Sequence, residues 1–125
     1  MRAILCKELG PADKLVIEDV PSPQVSGDGV KVKVKAAGLN FPDTLIIEGK
    51  YQIKPELPFS PGGEMAGEII EVGPDVKNLK PGMRVMGLTG YGSFAEEMVI
   101  GESRVIPVPD GMKDETAAAF SMVYG

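Results

Sequence analysis

Glycine and proline interrupt this chain so often that only short elements of secondary structure fit between them. The 125 residues include 16 glycines and 11 prolines, and the intervening runs are rich in β-branched side chains. Residues 30–36 alternate valine with lysine, which is the period-two pattern of a half-buried strand. The sequence therefore predicts a mainly β fold with frequent turns, whose strands cover residues 2–6, 14–20, 30–36, 65–72, 83–88, 93–100 and 104–108.

One segment in the first half of the chain predicts a short helix instead. Asn40 can cap the first free backbone N–H groups of a helix, and Asp43 places a negative charge near the positive end of the helix dipole. Gly49 ends the segment. Residues 51–61 follow as a proline-bearing loop, which we expect on the surface and bordering a site.

Charge and apolar patterning argue against several classes of function. The net charge of −5 and the scattered lysines are unlike the concentrated basic face that binds nucleic acid. No stretch reaches the ~18 apolar residues of a membrane span, and the first residues lack a signal-peptide pattern. Cys6 has no second cysteine to pair with, which is typical of a buried thiol in a reducing compartment. We therefore expect a cytoplasmic protein that binds neither nucleic acid nor a membrane.

The segment from Gly90 to Ala95 matches the G-x-G-x-x-A fingerprint of dinucleotide-binding folds. A true fingerprint opens a helix that leads to a buried parallel strand. Here a short β-branched run follows, and Pro107 and Pro109 would break a central strand. We interpret these glycines as a turn between antiparallel strands.

Residue types limit the possible chemistry further. With no histidine and one cysteine, the chain cannot supply the usual three protein ligands of a catalytic zinc ion. The same absence removes a Ser-His-Asp triad. Tyrosine, aspartate, glutamate and lysine remain as candidate proton carriers.

Several separate motifs occur in order along the chain, at residues 30–43, 49–51, 58–73, 80–85, 92–96 and 117–125. Their order resembles one enzyme superfamily, the medium-chain dehydrogenases/reductases. Within it the chain is similar to the zinc-free, zeta-crystallin-like quinone oxidoreductase branch. The resemblance implies a GroES-like, partly open β-barrel with short helices. It places this domain at residues 1–119 and makes residues 120–125 the start of the connection to a Rossmann domain that is not in this chain.

The resemblance also bears on metal and cofactor. Alcohol dehydrogenases of the superfamily carry a zinc-binding cysteine near the position of Gly38 to Asn40 and a histidine where Gly63 stands. Neither residue is present here, so the resemblance implies an enzyme without zinc. It implies NADPH as the cofactor, bound mainly by the absent domain, with a homodimer as the complete enzyme.

The residues nearest the cofactor follow from the same resemblance. It implies that Asn40 and Tyr51 are the catalytic hydrogen-bond donors, and that Asn40, Val123 and Tyr124 contact the cofactor. Val123 stands where relatives commonly have a threonine, which removes a hydroxyl contact to the nicotinamide. From the residues alone, Asn40 could equally be a helix cap and Tyr51 a packing residue.

The resemblance implies a substrate pocket around the predicted helix, formed by Phe41, Asp43, Leu45 and Tyr51. Leu45 stands where some relatives have a tyrosine, so substrate contacts need not be shared. Asp43 is also interpretable as a helix-start residue. Glu64 is interpretable as a structural acceptor for nearby backbone N–H groups.

The implied reaction is hydride transfer to a quinone or an α,β-unsaturated carbonyl. Reduction of a plain ketone creates an alkoxide, whose conjugate acid approaches the ~15.7 of water, so a metal is a natural stabiliser. Reduction of a conjugated carbonyl creates an enolate or phenolate, nearer the ~10 of a tyrosine phenol. Preorganised neutral donors can stabilise that charge.

Two alternatives remain open at this point. A non-enzymatic GroES-like co-chaperone or interaction module shares the implied fold, because fold does not determine function. A zinc alcohol dehydrogenase is the other, although the chain lacks the ligands for it.

Overall fold

The computed structural model describes residues 1–38, 41–52 and 54–118. Seven strands lie within them: β1 Arg2–Leu5, β2 Val16–Asp19, β3 Gly29–Gly38, β4 Glu64–Val72, β5 Arg84–Leu88, β6 Glu97–Gly101 and β7 Val105–Pro107. The helical elements are the 3-10 turns Ala12–Lys14 and Glu102–Arg104, helix α1 Phe41–Ile47, and a helical stretch over residues 114–118.

The strands form two antiparallel sheets that do not close on each other. Strands β6, β3, β4, β5 and β7 make a five-stranded sheet in that order, and β1 pairs with β2 in a separate hairpin. Isolated bridges from Ala3 to Ala95 and from Cys6 to Phe59 attach the hairpin to the rest of the domain. This mainly β, partly open architecture confirms the predicted GroES-like fold.

Both faces of the five-stranded sheet are covered. Alternate residues of β4 point to opposite sides, so Met65 and Ile69 join one buried cluster while Ala66 joins another. The second cluster includes Met86, Ala117 and Ala118. The helical stretch over residues 114–118 thus covers this face of the sheet, because its small alanine side chains pack over β4 and β5.

The predicted strands are present with shifted boundaries. The largest shift is in the strand predicted at 93–100, which begins at Glu97. The residues before it form backbone hydrogen bonds in two directions: the Phe94 N–H donates to the Pro61 carbonyl, and the Ile4 N–H donates to the Phe94 carbonyl. These hydrogen bonds to distant segments take the place of the strand pairing that was predicted for residues 93–96.

The Gly90 to Ala95 segment is a turn, as predicted. It joins β5 to β6, which run antiparallel although β3 and β4 lie between them. A strand rather than a helix follows the glycines. The segment therefore lacks the strand–turn–helix context of a dinucleotide fingerprint.

The loop over residues 51–61 is only partly as predicted. Glu56, Leu57 and Pro58 are exposed, but Phe59 is buried. Phe59 exchanges two backbone hydrogen bonds with Cys6, at 2.7 and 3.1 Å. The expectation of a surface loop is wrong at this end because the aromatic ring fills a cluster with Cys6, Ile46 and Ile47.

No helix among the described residues is long and apolar enough to cross a membrane.

Candidate active site

The candidate site lies where the ladder between β3 and β4 ends. Gly38 pairs with Glu64 in the last register position of that ladder. The chain after Gly38 and the chain before Glu64 therefore leave the sheet side by side, and α1 begins three residues after Gly38. The sheet thus brings together two of the motifs on which the sequence prediction rests. We call residues 60–64 the site loop.

Gly63 occupies a position where a side chain would be crowded by two oxygen atoms. A Cβ atom built on Gly63 would lie 3.2 Å from Asp43 Oδ1 and 3.5 Å from the carbonyl oxygen of Gly90. Asp43 is in the first turn of α1, as predicted, and its side chain is only 3% exposed. A side chain at position 63 would therefore press against Asp43, and the glycine avoids that contact.

Thr89 fixes the backbone of the site loop. Its hydroxyl donates a 2.7 Å hydrogen bond to the Gly62 carbonyl, and its N–H donates a 2.7 Å hydrogen bond to the Gly63 carbonyl. Ser93 reaches the loop from the other side, because its N–H also donates to the Gly62 carbonyl. The two glycines are therefore held by residues about 30 positions away in the sequence.

Buried polar atoms without partners concentrate around this loop. Among the described residues, three buried side-chain oxygens accept and donate no hydrogen bond: Ser60 Oγ, Glu64 Oε2 and Ser93 Oγ. Glu64 and Ser93 are only 3% and 1% exposed. Folded proteins pair most buried polar groups, so these three oxygens distinguish this loop from the rest of the described residues.

Glu64 was interpreted as an acceptor for local backbone N–H groups, and its Oε2 accepts none from the described residues. Its side chain instead lies over Gly38, where a Cβ would collide with Oε1 and Cδ. The missing side chain at position 38 is thus what makes room for the carboxylate.

Tyr51 lies shortly after the end of α1. It is half-buried and packs against the cluster of Cys6, Ile46, Ile47 and Phe59. Leu45 is half-buried on the same helix. The ring of Tyr51 is thus a packing element, and the role of its hydroxyl as a hydrogen-bond donor stays a prediction.

The other predicted site residues cannot be placed. Asn40, Val123 and Tyr124 lie outside the described residues, as does the side chain of Phe41. The site that the structure does show includes Gly62, Thr89 and Ser93, which sequence reasoning missed. Their only local signal was the glycine pair at 62–63, because the contacts of Thr89 and Ser93 with that pair are long-range.

Cys6 is the small buried thiol that the sequence predicted. Burial raises the pKa of the Cys6 thiol, and its Sγ donates to the Glu8 carbonyl at 3.2 Å. A raised pKa disfavours the thiolate that nucleophilic or metal-binding cysteines use. Within the part of the chain that the structure describes, no three metal-binding side chains come together.

Comparisons with known proteins agree with this geometry. Residues 26–110 match the family described as the alcohol dehydrogenase GroES-like domain. A quinone oxidoreductase-like protein 2 homolog of Nematostella vectensis is 44% identical over 99% of this chain and 34% of its own length. The chain therefore spans about a third of that relative's length.

Two solved structures show the same fold. A quinone oxidoreductase of Pseudomonas syringae superposes with a TM-score of 0.91 at 33% identity, over 97% of this chain and 37% of that one. A mycobacterial protein solved in complex with NADPH superposes with a TM-score of 0.86 at 32% identity, over 99% of this chain and 42% of that one. The chain belongs to the alcohol dehydrogenase GroES-like domain family of the medium-chain dehydrogenase/reductase superfamily, and its relatives include quinone oxidoreductase-like proteins.

Proposed function

We propose that this chain is the catalytic domain of an NADPH-dependent oxidoreductase that reduces quinones or other conjugated carbonyls without zinc. The observation that carries the proposal is the absence of a side chain at position 63, where a Cβ would lie 3.2 Å from Asp43 Oδ1 and 3.5 Å from the Gly90 carbonyl oxygen. Zinc-dependent members of the superfamily have a ligand at that position. The names of the relatives support the acceptor class, and the free, buried Cys6 supports a reducing, cytoplasmic location.

In this proposal, neutral hydrogen-bond donors stabilise the negative charge that develops on the substrate oxygen. When hydride reaches a conjugated carbonyl, negative charge develops on oxygen as an enolate or phenolate. We assign its stabilisation to the Tyr51 hydroxyl and the Asn40 amide, each worth about 3–4 kcal/mol when preorganised. Phe41, Asp43 and Leu45 complete the pocket in this proposal.

NADPH supplies the hydride when it is bound. The described residues do not fit its pyrophosphate, because the only G-x-G-x-x-A sequence is a turn that enters a strand. This chain is therefore assigned only the nicotinamide end, through Asn40, Val123 and Tyr124. The remainder of the cofactor would be held by the part of the protein that the relatives have and this chain does not span.

Calorimetry on the 125-residue chain tests this division of the NADPH contacts between the chain and the rest of the protein. We expect NADPH to bind weakly, because the helix N-terminus that anchors a pyrophosphate is absent from the described residues. Micromolar or tighter binding to this chain would contradict the assignment.

Removal of one hydroxyl tests the donor role. In the complete enzyme, Tyr51→Phe should lower kcat for 1,4-benzoquinone by about 100-fold, since an oxyanion donor is lost while the ring still packs. Tyr91→Phe is the matched control and should leave kcat unchanged. The Tyr91 ring packs edge-on against the Phe59 ring, with 6.1 Å between the ring centroids. Equal effects in the two variants would remove Tyr51 from the site.

A further inference from the structure

The residues directly after β5 lie against the site loop. Thr89 is buried, and its hydroxyl and its N–H donate to the Gly62 and Gly63 carbonyls, each at 2.7 Å. Gly90 is the next residue, and its carbonyl oxygen would lie 3.5 Å from a Cβ at position 63. The end of β5 therefore holds the site loop along one side.

The conformation of Gly62 allows one residue to bond both carbonyls. Successive carbonyls of an extended strand point in opposite directions, so they face different neighbours. Gly62 has φ 108°, a conformation that residues with a side chain rarely adopt. The turn at Gly62 thereby directs its own carbonyl and that of Gly63 towards Thr89.

The Thr89 hydroxyl adds orientation to a loop that is also attached by backbone donors. The Thr89 N–H bonds the Gly63 carbonyl, and the Phe94 N–H bonds the Pro61 carbonyl at 3.0 Å. Without the hydroxyl, the Gly62 carbonyl would keep the Ser93 N–H at 3.3 Å among the described donors. Loss of the hydroxyl should therefore leave the loop attached but let the peptide between Gly62 and Gly63 tilt.

The site loop in turn lies beside the first turn of α1. A Cβ at position 63 would be 3.2 Å from Asp43 Oδ1, and the Asp43 side chain is buried. The same helix includes Leu45. Because close-packed interiors leave little room for independent movement, a tilt of the Gly63 backbone would be transmitted to the helix that carries these predicted pocket residues.

We propose that Thr89 is a positioning residue for hydride transfer. Its hydroxyl orients the peptide between Gly62 and Gly63, and this peptide sets the position of α1 beside the site loop. The position of α1 determines where Asp43 and Leu45 meet the substrate. The inference rests on the proposed function, which supplies the substrate and the reaction. A purely structural tie is the alternative, and it predicts a change in stability without a change in turnover.

Thr89→Val in the complete enzyme tests the role of the hydroxyl, because valine keeps the branched shape and the backbone N–H. We expect kcat with NADPH and 1,4-benzoquinone to fall about ten-fold, since small displacements of positioning groups lower turnover steeply. KM should change by less than about three-fold, because every residue proposed to contact the substrate is retained. An unchanged kcat in folded Thr89→Val would overturn the proposal.

Two further variants show whether the hydroxyl itself is responsible. Thr89→Ser keeps the hydroxyl and should restore kcat to within about two-fold of wild type. Thr116→Val makes the same replacement at an exposed position in the helical stretch over residues 114–118, and should leave kcat unchanged. A serine variant as slow as the valine variant, or an equal loss in Thr116→Val, would contradict the assignment. So would a Thr89→Val variant that does not fold, because the remaining hydrogen bonds would then not suffice to hold the loop.

Backbone amide NMR of the 125-residue chain separates this inference from the proposed function. Thr89→Val should shift the amide signals of Gly63, Asp43 and Leu45, whereas Thr89→Ser should leave them close to wild type. If the wild-type enzyme reduces no quinone, the proposed function fails, and these shifts still decide whether the hydroxyl positions α1. Unmoved Asp43 and Leu45 signals in Thr89→Val would overturn the inference even where quinone reduction is confirmed.

Discussion

Two loops of this domain each combine a glycine of positive φ with a carboxylate that lies in the loop or contacts it. The two carboxylates differ in their hydrogen-bond partners. In the site loop, residues 60–64, Gly62 has φ 108° and Glu64 is buried with Oε2 unpartnered. In the turn at residues 77–82, Gly82 has φ 94°. There the Glu102 carboxylate accepts hydrogen bonds from the N–H groups of Lys77, Asn78 and Leu79 at 2.7 to 3.3 Å.

The difference separates a carboxylate that holds a turn through backbone N–H groups from a buried carboxylate whose Oε2 has no such partner. Glu102 satisfies three backbone donors at the surface, so its contribution is to hold the turn. Glu64 satisfies none of the described donors on Oε2 and is buried, so retaining it has a cost in stability.

The largest expected effect comes from adding a methyl group to each glycine. Gly62→Ala should lower the free energy of unfolding by about 3 kcal/mol or more, since strained backbone and overpacking each cost about 1–3 kcal/mol. A Cβ there meets the Ser93 hydroxyl and lies 2.7 and 2.9 Å from Phe94 atoms. Urea unfolding of the chain measures this change.

Gly82→Ala is the matched control for that substitution. Nothing lies within 4 Å of a Cβ built on Gly82, so only the backbone strain of about 1–2 kcal/mol should appear. Equal losses in the two variants would mean that the close packing around the site loop is not what distinguishes the turns.

The next effect compares the two carboxylates directly. Glu64→Met should leave the free energy of unfolding unchanged or raise it by about 1 kcal/mol, because a buried unpartnered oxygen is removed. The same variant in the complete enzyme should lower turnover. Glu102→Met should do the reverse, with a lower unfolding midpoint and unchanged turnover. A Glu64→Met variant that is clearly less stable would show that Glu64 has a structural partner.

The smallest effect is a pH dependence confined to the turn. Backbone N–H groups, that of Asn78 foremost, hold the pKa of Glu102 below its ordinary value of 4.5. A lowered folded-state pKa contributes stability that is present above the unfolded value and is lost as pH falls through the folded value. The unfolding midpoints of wild type and Glu102→Gln should therefore differ above the ordinary pKa of 4.5 and converge over the acid interval below it. A constant difference across that interval would contradict the role of the carboxylate charge.

The sequence predicted the features that depend on local pattern. The alternation at residues 30–36 predicted β3, and Asp43 was placed correctly in the first turn of α1. The turn at Gly90 was distinguished from a cofactor fingerprint because prolines and β-branched residues follow it. Period and turn chemistry are short-range properties, so a single sequence shows them.

The composition of the site loop's surroundings could not be predicted in the same way. Thr89 and Ser93 contact Gly62 across about 30 residues of chain, and no local pattern indicates such a contact. The burial of Phe59 depends likewise on its bonds to Cys6, far back in the sequence. The position of the Glu64 side chain over Gly38 depends on the register between β3 and β4, which no local pattern predicts.

The central claim is that this site stabilises a weakly basic oxygen without a metal. Its most direct test is the turnover of the complete enzyme with NADPH after exhaustive chelation, with an enone and the corresponding saturated ketone as paired substrates. The account predicts full activity with the enone and none with the ketone. Activity that is lost on chelation and restored by zinc, or that is confined to the ketone, would contradict it.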